Sequence, residues 1–91
     1  MDYNIVKKII LEVLKMQETK IALRDIQSVR EFVGLVVMLD YDVDLVQGRY
    51  IVDAKSIMGI FALDMLSPIT LVAHTEDASD FFKKIEKFAA K

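Results

Sequence analysis

Three stretches of the chain repeat apolar residues at intervals of three and four, the spacing that places side chains on one face of a helix. They cover residues 5–16, 26–37 and 78–89. The second stripe comprises Ile26, Val29, Phe32, Val33, Val36 and Val37, and the third comprises Ala78, Phe81, Phe82, Ile85, Phe88 and Ala89. Asp25 is predicted to cap the second helix, and residues 75–77 the third. Gly34, inside the second helix, predicts close packing against a neighbouring element.

Four further segments have the alternation or the short apolar run of a β-strand. They are residues 19–23, 40–45, 49–54 and 69–74. The second of them alternates strictly, so Asp40, Asp42 and Asp44 are predicted to share one face of a strand. Gln47 and Gly48 form the predicted turn of an antiparallel hairpin between the second and third segments.

A short helix is predicted after the third strand, from Ser56 to about Asp64, with Ser67 and Pro68 ending it. Ser56 stands where an N-cap is expected, because its hydroxyl can accept a hydrogen bond from an amide of the first turn. The same position suits a phosphorylation site, since a phosphate there would lie at the positive end of the helix dipole and next to Lys55. The simpler interpretation is that Ser56 is only a cap.

The resulting order of elements is helix, strand, helix, strand, strand, helix, strand, helix. It predicts an α+β fold in which a four-stranded antiparallel sheet carries three helices on one face, an open-faced β-sandwich, with an additional helical arm at the N-terminus. The apolar face of the arm is broad, so the arm should pack on the domain or meet a partner chain.

Composition narrows the classes of function. The 91 residues include no cysteine and one histidine, so neither a disulfide framework nor a zinc site is expected, and we expect no metal and no cofactor. A net charge of −2 argues against a nucleic-acid partner. Residues 32–39, the longest apolar run, are too few to span a bilayer, and no signal peptide is recognisable. A cytoplasmic protein without membrane insertion is therefore expected.

The segment Lys55-Ser56-Ile57-Met58-Gly59 resembles the regulatory-serine segment of HPr, the phosphocarrier of the bacterial phosphoenolpyruvate-dependent sugar phosphotransferase system. The resemblance extends over an HPr-like domain of residues 19–91 and leaves residues 1–18 as the arm. It implies the open-faced sandwich, phosphorylation at Ser56, and an exposed partner-binding patch formed by Ile57, Met58 and Phe61 beside Lys55. The partners implied are HPr kinase, other phosphotransferase-system proteins or a transcriptional regulator.

The carrier histidine of HPr has no match in this chain. Counting back from Ser56 by the family's usual separation places Asp25 at that position, with Gln27 and Ser28 where the family has arginine and proline. The resemblance therefore implies a regulatory or binding protein, not an enzyme and not a histidine phosphocarrier.

Two other functions are compatible with the sequence. The chain could be a structural or assembly module that forms a homo-oligomer through residues 1–18, with Ser56 only a cap. It could also be an active phosphocarrier through a non-standard residue, Asp25 or His74, although an aspartate before a helix is normally its cap and a lone histidine at a strand end is normally a surface residue.

Overall fold

In the computed structural model, which describes residues 2–90, strands and helices follow in the predicted order. The elements are α1 (Tyr3–Val13), β1 (Gln17–Ile21), α2 (Ile26–Val36), β2 (Val43–Gln47), β3 (Tyr50–Asp53), α3 (Ile57–Phe61), β4 (Ile69–Ala73), α4 (Ser79–Lys84) and a 3₁₀ turn at Glu86–Phe88. The fold is α+β with an open antiparallel sheet, as expected.

The four strands form one sheet in the order β1-β4-β2-β3, and every neighbouring pair is antiparallel. β2 and β3 are joined by the two residues Gly48 and Arg49. Gly48 has a φ of +60°, a conformation that glycine adopts without strain, as a tight hairpin turn requires. β1 and β3 are the two edges of the sheet.

One face of the sheet is buried and carries α2, α3 and α4. Along β4 the side chains of Ile69, Leu71 and Ala73 are buried, and those between them are only partly covered. Buried residues from the three helices and from the 3₁₀ turn belong to the same apolar cluster: Val29, Phe32, Val33, Val36, Ile60, Phe81 and Phe88. The ring of Phe32 lies 6.4 Å from that of Phe81 and 6.1 Å from that of Phe88, which joins α2 to the C-terminal segment.

The predicted strand boundaries are partly wrong. β1 begins at Gln17, two residues earlier than predicted, because Gln17 pairs with Ala73 at the end of β4. β2 begins only at Val43, so Asp40 and Asp42 precede the strand and the predicted face of three carboxylates does not form. The carbonyl of Asp42 still accepts a hydrogen bond from the amide of His74, one pair beyond the last paired residues of β2 and β4.

The helices are shorter than their apolar stripes. Ile26 and Val37, at the two ends of the α2 stripe, are exposed, and Gly34 is exposed with no neighbour within reach of a Cβ, so the predicted close packing there is wrong. α3 ends at Phe61 and not near Asp64.

The last helix ends at Lys84 and gives way to the 3₁₀ turn, which leaves Ala89 exposed. The reason is an alternative set of hydrogen bonds with the edge of the sheet. The amide of Ala22 donates to the carbonyl of Phe88, and the amide of Ala90 donates to that of Lys20. The C-terminal segment thereby covers part of the β1 edge.

α1 is the predicted arm and lies outside the core. None of its residues is buried. Lys7 of the arm forms an ion pair with Glu18 of β1. The side chain of Glu18 lies on the opposite face of the strand from the buried Ile21, so this contact is on the open face of the sheet. No helix within residues 2–90 has the length and apolarity needed to cross a bilayer.

The link from α1 to β1 is a defined helix stop. Lys15 adopts the left-handed conformation with a φ of 57°. The amide of Lys15 donates to the carbonyl of Glu12, and the amide of Met16 donates to that of Leu11, the hydrogen-bond pattern of a Schellman motif. An ion pair of 2.8 Å between Lys15 and Glu76 joins this turn to the segment after β4.

Candidate functional site

The approach to Ser56 is fixed by the end of β3. A carboxylate oxygen of Asp53 accepts a hydrogen bond of 2.8 Å from the amide of Lys55, and its carbonyl accepts one from the amide of Ser56. Between them, Ala54 is fully buried and donates its amide to the carbonyl of Val43. An aspartate that accepts a hydrogen bond from the amide two residues later is a common turn signal, and Asp53 provides one in this sequence.

Ser56 is the N-cap of α3, as predicted. Its backbone is extended, with φ −93° and ψ 102°, and its Oγ accepts a hydrogen bond of 3.0 Å from the amide of Gly59. A Cβ on Gly59 would lie 3.1 Å from that Oγ and 3.2 Å from the Cβ of Val52. The cap and the glycine therefore depend on each other, a close approach that the sequence did not reveal.

The three apolar residues after Ser56 form an exposed surface, which we call the α3 patch: Ile57, Met58 and Phe61. Ile60 is fully buried and anchors the helix, whereas Ile57, Met58 and Phe61 are 39%, 82% and 44% exposed. A helix of five residues presents about one turn to the core, so the side chains around that anchor must face outward. Methionine is flexible and polarisable, which suits a surface that contacts another protein.

A single positive charge lies next to the α3 patch. Lys55 is half exposed, and its Nζ lies 3.9 Å from a carboxylate oxygen of Asp42. At that distance between exposed groups the attraction is weak, so the ammonium group is available to another anion. The arrangement offers an apolar surface, a hydroxyl and a cation along one segment.

Asp25, which the resemblance to HPr places at the position of the carrier histidine, caps α2. Its Oδ1 accepts a hydrogen bond of 2.7 Å from the amide of Ser28. That bond from the backbone, with a smaller contribution from the Ser28 side chain, lowers the pKa of the Asp25 carboxyl. The carboxylate is thus ionised and already bound at the start of the helix, where it repels a second anion.

His74 follows β4 and has a partner that the sequence did not predict. Its Nε2 lies 2.7 Å from Oδ2 of Asp44 on β2, and both side chains are about one-third exposed. The contact depends on the pairing of β2 with β4, which are distant in the sequence, so no local pattern could have indicated it.

The part of the chain that the structure describes was compared with the side-chain clusters that hold metal ions. Within residues 2–90 no group of three or more histidine, cysteine, aspartate or glutamate side chains could hold an ion. Asp44 contacts the His74 side chain, and Asp42 is hydrogen-bonded to the His74 backbone, but the three side chains do not form a metal-binding group.

No protein-family model, curated protein or solved structure matches this chain. The HPr resemblance therefore rests on the residues around Ser56 and on the order of elements.

Proposed function

We propose that this chain is an HPr-like regulatory protein that binds protein partners through the α3 patch and that phosphorylation of Ser56 controls this binding. The observation that carries the proposal is the exposure of Met58, 82%, two residues after a serine that caps its helix. Met58 contributes little to the core, and together with Ile57 and Phe61 it forms an apolar surface beside a modifiable hydroxyl, which suits recognition of a partner.

Two further features support an HPr-like assignment. The motif Lys55-Ser56-Ile57-Met58-Gly59 stands at the start of a short helix that directly follows a strand, which is the context that the resemblance requires. From β1 onward, the succession of strands and helices and the open antiparallel sheet agree with an open-faced sandwich. A cytoplasmic role in the phosphotransferase system belongs to the same proposal.

Phosphorylation would act through charge. A phosphate on Ser56 adds about −1.5 to −2 charges next to Ile57 and Met58. Lys55 exchanges its long contact with Asp42 for the phosphate, and the amide of Gly59, which now donates to the serine oxygen, can donate to a phosphate oxygen. A partner that buries the bare patch is repelled, and one that offers arginine or lysine is attracted.

Binding, and not phosphoryl transfer, fits the residue at the carrier position. Asp25 is held by the amide of Ser28 and carries its own negative charge at the helix start. An acyl phosphate would need a metal or positioned cations to form there. His74 forms a close contact with the carboxylate of Asp44 and does not stand at the start of a helix.

The experiment is phosphorylation of the purified chain by an HPr kinase with ATP, followed as an initial rate by intact mass. Wild type should gain one phosphoryl group and Ser56→Ala none. Met58→Glu should react at least tenfold more slowly, a loss of about 1.4 kcal/mol in recognition. Met38→Glu is the matched control, because Met38 is equally exposed at 82% but lies after α2. Equal rates for the two glutamate variants would show that the α3 patch is not the docking surface.

A further inference from the structure

β3 is an edge of the sheet, and part of its outer backbone is open. The amide of Ala54 donates to the carbonyl of Val43, which shows which residues of β3 bond to β2. Because hydrogen-bonded pairs alternate along an antiparallel ladder, the amide and carbonyl of Ile51 and the amide of Asp53 point away from β2. The carbonyl of Asp53 already accepts the amide of Ser56. Within residues 2–90 no loop or helix backbone bonds to the other three groups, so they are open to a further strand.

α3 lies over β3 and reaches past this edge. Successive residues of a helix are turned by about 100°. Ile60 points into the core, and Gly59 faces β3, since a Cβ on Gly59 would lie 3.2 Å from the Cβ of Val52. One more step in the same direction turns Met58 beyond the edge strand and away from the core. The exposure of Met58, 82%, agrees with this position.

The open backbone is flanked by apolar side chains on both faces of the sheet. We call this region the β3 surface: the outer backbone of β3 with the side chains of Tyr50, Ile51 and Met58. Tyr50 lies on the face that α3 covers and Ile51 on the opposite face, and they are 61% and 69% exposed. An exposed edge strand with apolar side chains is a template for pairing with another strand.

The charges at this edge indicate what an added strand should carry. Asp53 lies directly opposite Asp44 of β2, and like charges at such positions destabilise a sheet. The carboxylate of Asp44 contacts His74, whereas within residues 2–90 no ion pair reaches the carboxylate of Asp53. A lysine or arginine on the added strand, next to Asp53, would be attracted by both aspartates.

A second copy of the chain is too bulky to occupy this edge. Two β3 strands paired antiparallel would lie about 4.8 Å apart, with their helix-covered faces on the same side. The two α3 helices would then lie side by side over those strands, closer than the spacing of about 8–10 Å that packed helices need. A helical partner cannot bond to the open backbone groups, because its own amides and carbonyls bond internally. The occupant that fits is an extended segment.

We propose that the partner of the α3 patch binds as an extended segment that adds a fifth strand to β3. The segment exchanges backbone hydrogen bonds with Ile51 and places apolar side chains against Met58 and Tyr50. It carries a lysine or arginine next to Asp53. This inference rests on the function proposed for the α3 patch and adds the chemistry of the partner. The phosphorylation assay on Ser56 uses no peptide, so its failure would contradict that function without deciding how a segment binds.

The first test is selection of linear eight-residue peptides from a displayed random library, with the wild-type chain as bait. Selected peptides, once synthesised, should alternate in apolar residues and contain a lysine or arginine. Met58→Gln should raise their dissociation constant about tenfold, measured by fluorescence anisotropy. Met38→Gln is the control, because Met38 is equally exposed at 82% but follows α2. No selected binder, or equal affinity for the two variants, would overturn the proposal.

The second test isolates the backbone hydrogen bonds. Ile51→Pro removes an outward amide and no bond to β2, so the fold should persist, which thermal unfolding checks. Peptide binding should weaken at least tenfold in Ile51→Pro and stay within threefold of wild type in the control, Ile51→Val. Equal binding by these two variants would overturn the proposal.

N-methylated peptides give the same test without changing the protein. In a strand, alternate amides point to the same side. Methylation of the set that faces β3 should abolish binding, and methylation of the other set should preserve it. Equal affinities of the two methylated peptides would show that no strand is added and would overturn the proposal, whatever the stability of Ile51→Pro.

Discussion

Two glycines stand inside helices of this chain, and their surroundings are opposite. Gly34 in α2 is exposed and a Cβ there would meet nothing within 4 Å. Gly59 in α3 is enclosed by Ser56 and Val52. Glycine costs a helix interior about 0.5–1 kcal/mol relative to alanine. At Gly59 the lack of space for a Cβ outweighs this cost, whereas at Gly34 nothing does.

We expect Gly34→Ala to raise the free energy of unfolding by about 0.5–1 kcal/mol, since the helix gains and no contact is strained. Gly59→Ala should lower it by about 1 kcal/mol, because the Cβ of Val52 is fixed by β3 and Ser56 would have to abandon its cap. Urea unfolding of both variants measures the difference. Stabilisation by Gly59→Ala equal to that by Gly34→Ala would show that the enclosure is not real.

Ser56 is the second residue whose effect can be measured directly. Ser56→Ala removes the acceptor for the amide of Gly59 and should cost about 1 kcal/mol of stability. Ser56→Asp should retain nearly all of it, because aspartate is as good an N-cap as serine. The same urea titration compares them. If Ser56→Ala unfolds at the wild-type midpoint, the hydroxyl does not act as a cap.

Two glutamines at strand ends hold neighbouring loops through side-chain contacts that the sequence did not predict. The side chain of Gln17 donates to the carbonyl of Glu76 and accepts from the amide of Ala78, at 2.9 and 2.8 Å. Gln47 likewise donates to the carbonyl of Asp64 and accepts from its amide, at 2.8 and 2.7 Å. Each glutamine side chain thus binds one carbonyl and one amide of a loop, as a neighbouring strand would do.

Gln17→Ala should destabilise the chain by about 1–3 kcal/mol, because it leaves the amide of Ala78, a buried residue, without its acceptor. Gln27→Ala, at an exposed position of α2, is the control and should stay within about 0.5 kcal/mol of wild type. Thermal unfolding monitored by circular dichroism suffices. Equal melting temperatures for the two variants would contradict a structural role for Gln17.

Lowering the pH should destabilise the segments before α2 and α4 and the turn after α3, because each holds an aspartate that accepts hydrogen bonds. Hydrogen bonds from Ser28 to Asp25, from Leu66 and Ser67 to Asp64, and from Ser79 to Asp77 lower the pKa of each carboxyl. A lowered pKa in the folded state stabilises the fold above the unfolded value of about 3.9, and this contribution disappears as the pH falls through the lowered value.

We therefore expect the free energy of unfolding to decline as the pH is lowered below about 4 and to be insensitive to these groups near neutrality. Asp25→Asn keeps a good cap but cannot titrate, so its decline should be shallower than that of wild type. Urea unfolding between neutral and acidic pH records both curves. A decline just as steep in Asp25→Asn would exclude Asp25 as a contributor.

Local patterns predicted the helices, the hairpin and two caps, because those depend on neighbours in the sequence. The predicted cap of the last helix at residues 75–77 is wrong, since Ala78 is the N-cap of α4 and makes no side-chain cap bond. The caps at Asp25 and Ser56 were found correctly from residue type and position alone. The limits of β2, the end of α4 and the contact of His74 with Asp44 were not, because each depends on a segment that is distant in the sequence. The exposure of Met58 was suggested by the resemblance and by the shortness of α3, not by the apolar pattern.

At the scale of the whole molecule, the arm α1 and the α3 patch are connected to different edges of the sheet. α1 leads into β1 and α3 leaves β3, and these strands form opposite edges.

The measurement that separates the functions considered for this chain is intact mass after incubation with two phosphoryl donors in parallel. One reaction contains ATP with an HPr kinase, and the other contains phosphoenolpyruvate with enzyme I, each on wild type and Ser56→Ala. We expect one phosphoryl group from the kinase on wild type only, and none from phosphoenolpyruvate. Transfer from phosphoenolpyruvate would contradict the proposal by establishing a carrier, and no transfer from the kinase would contradict it by removing the switch at Ser56.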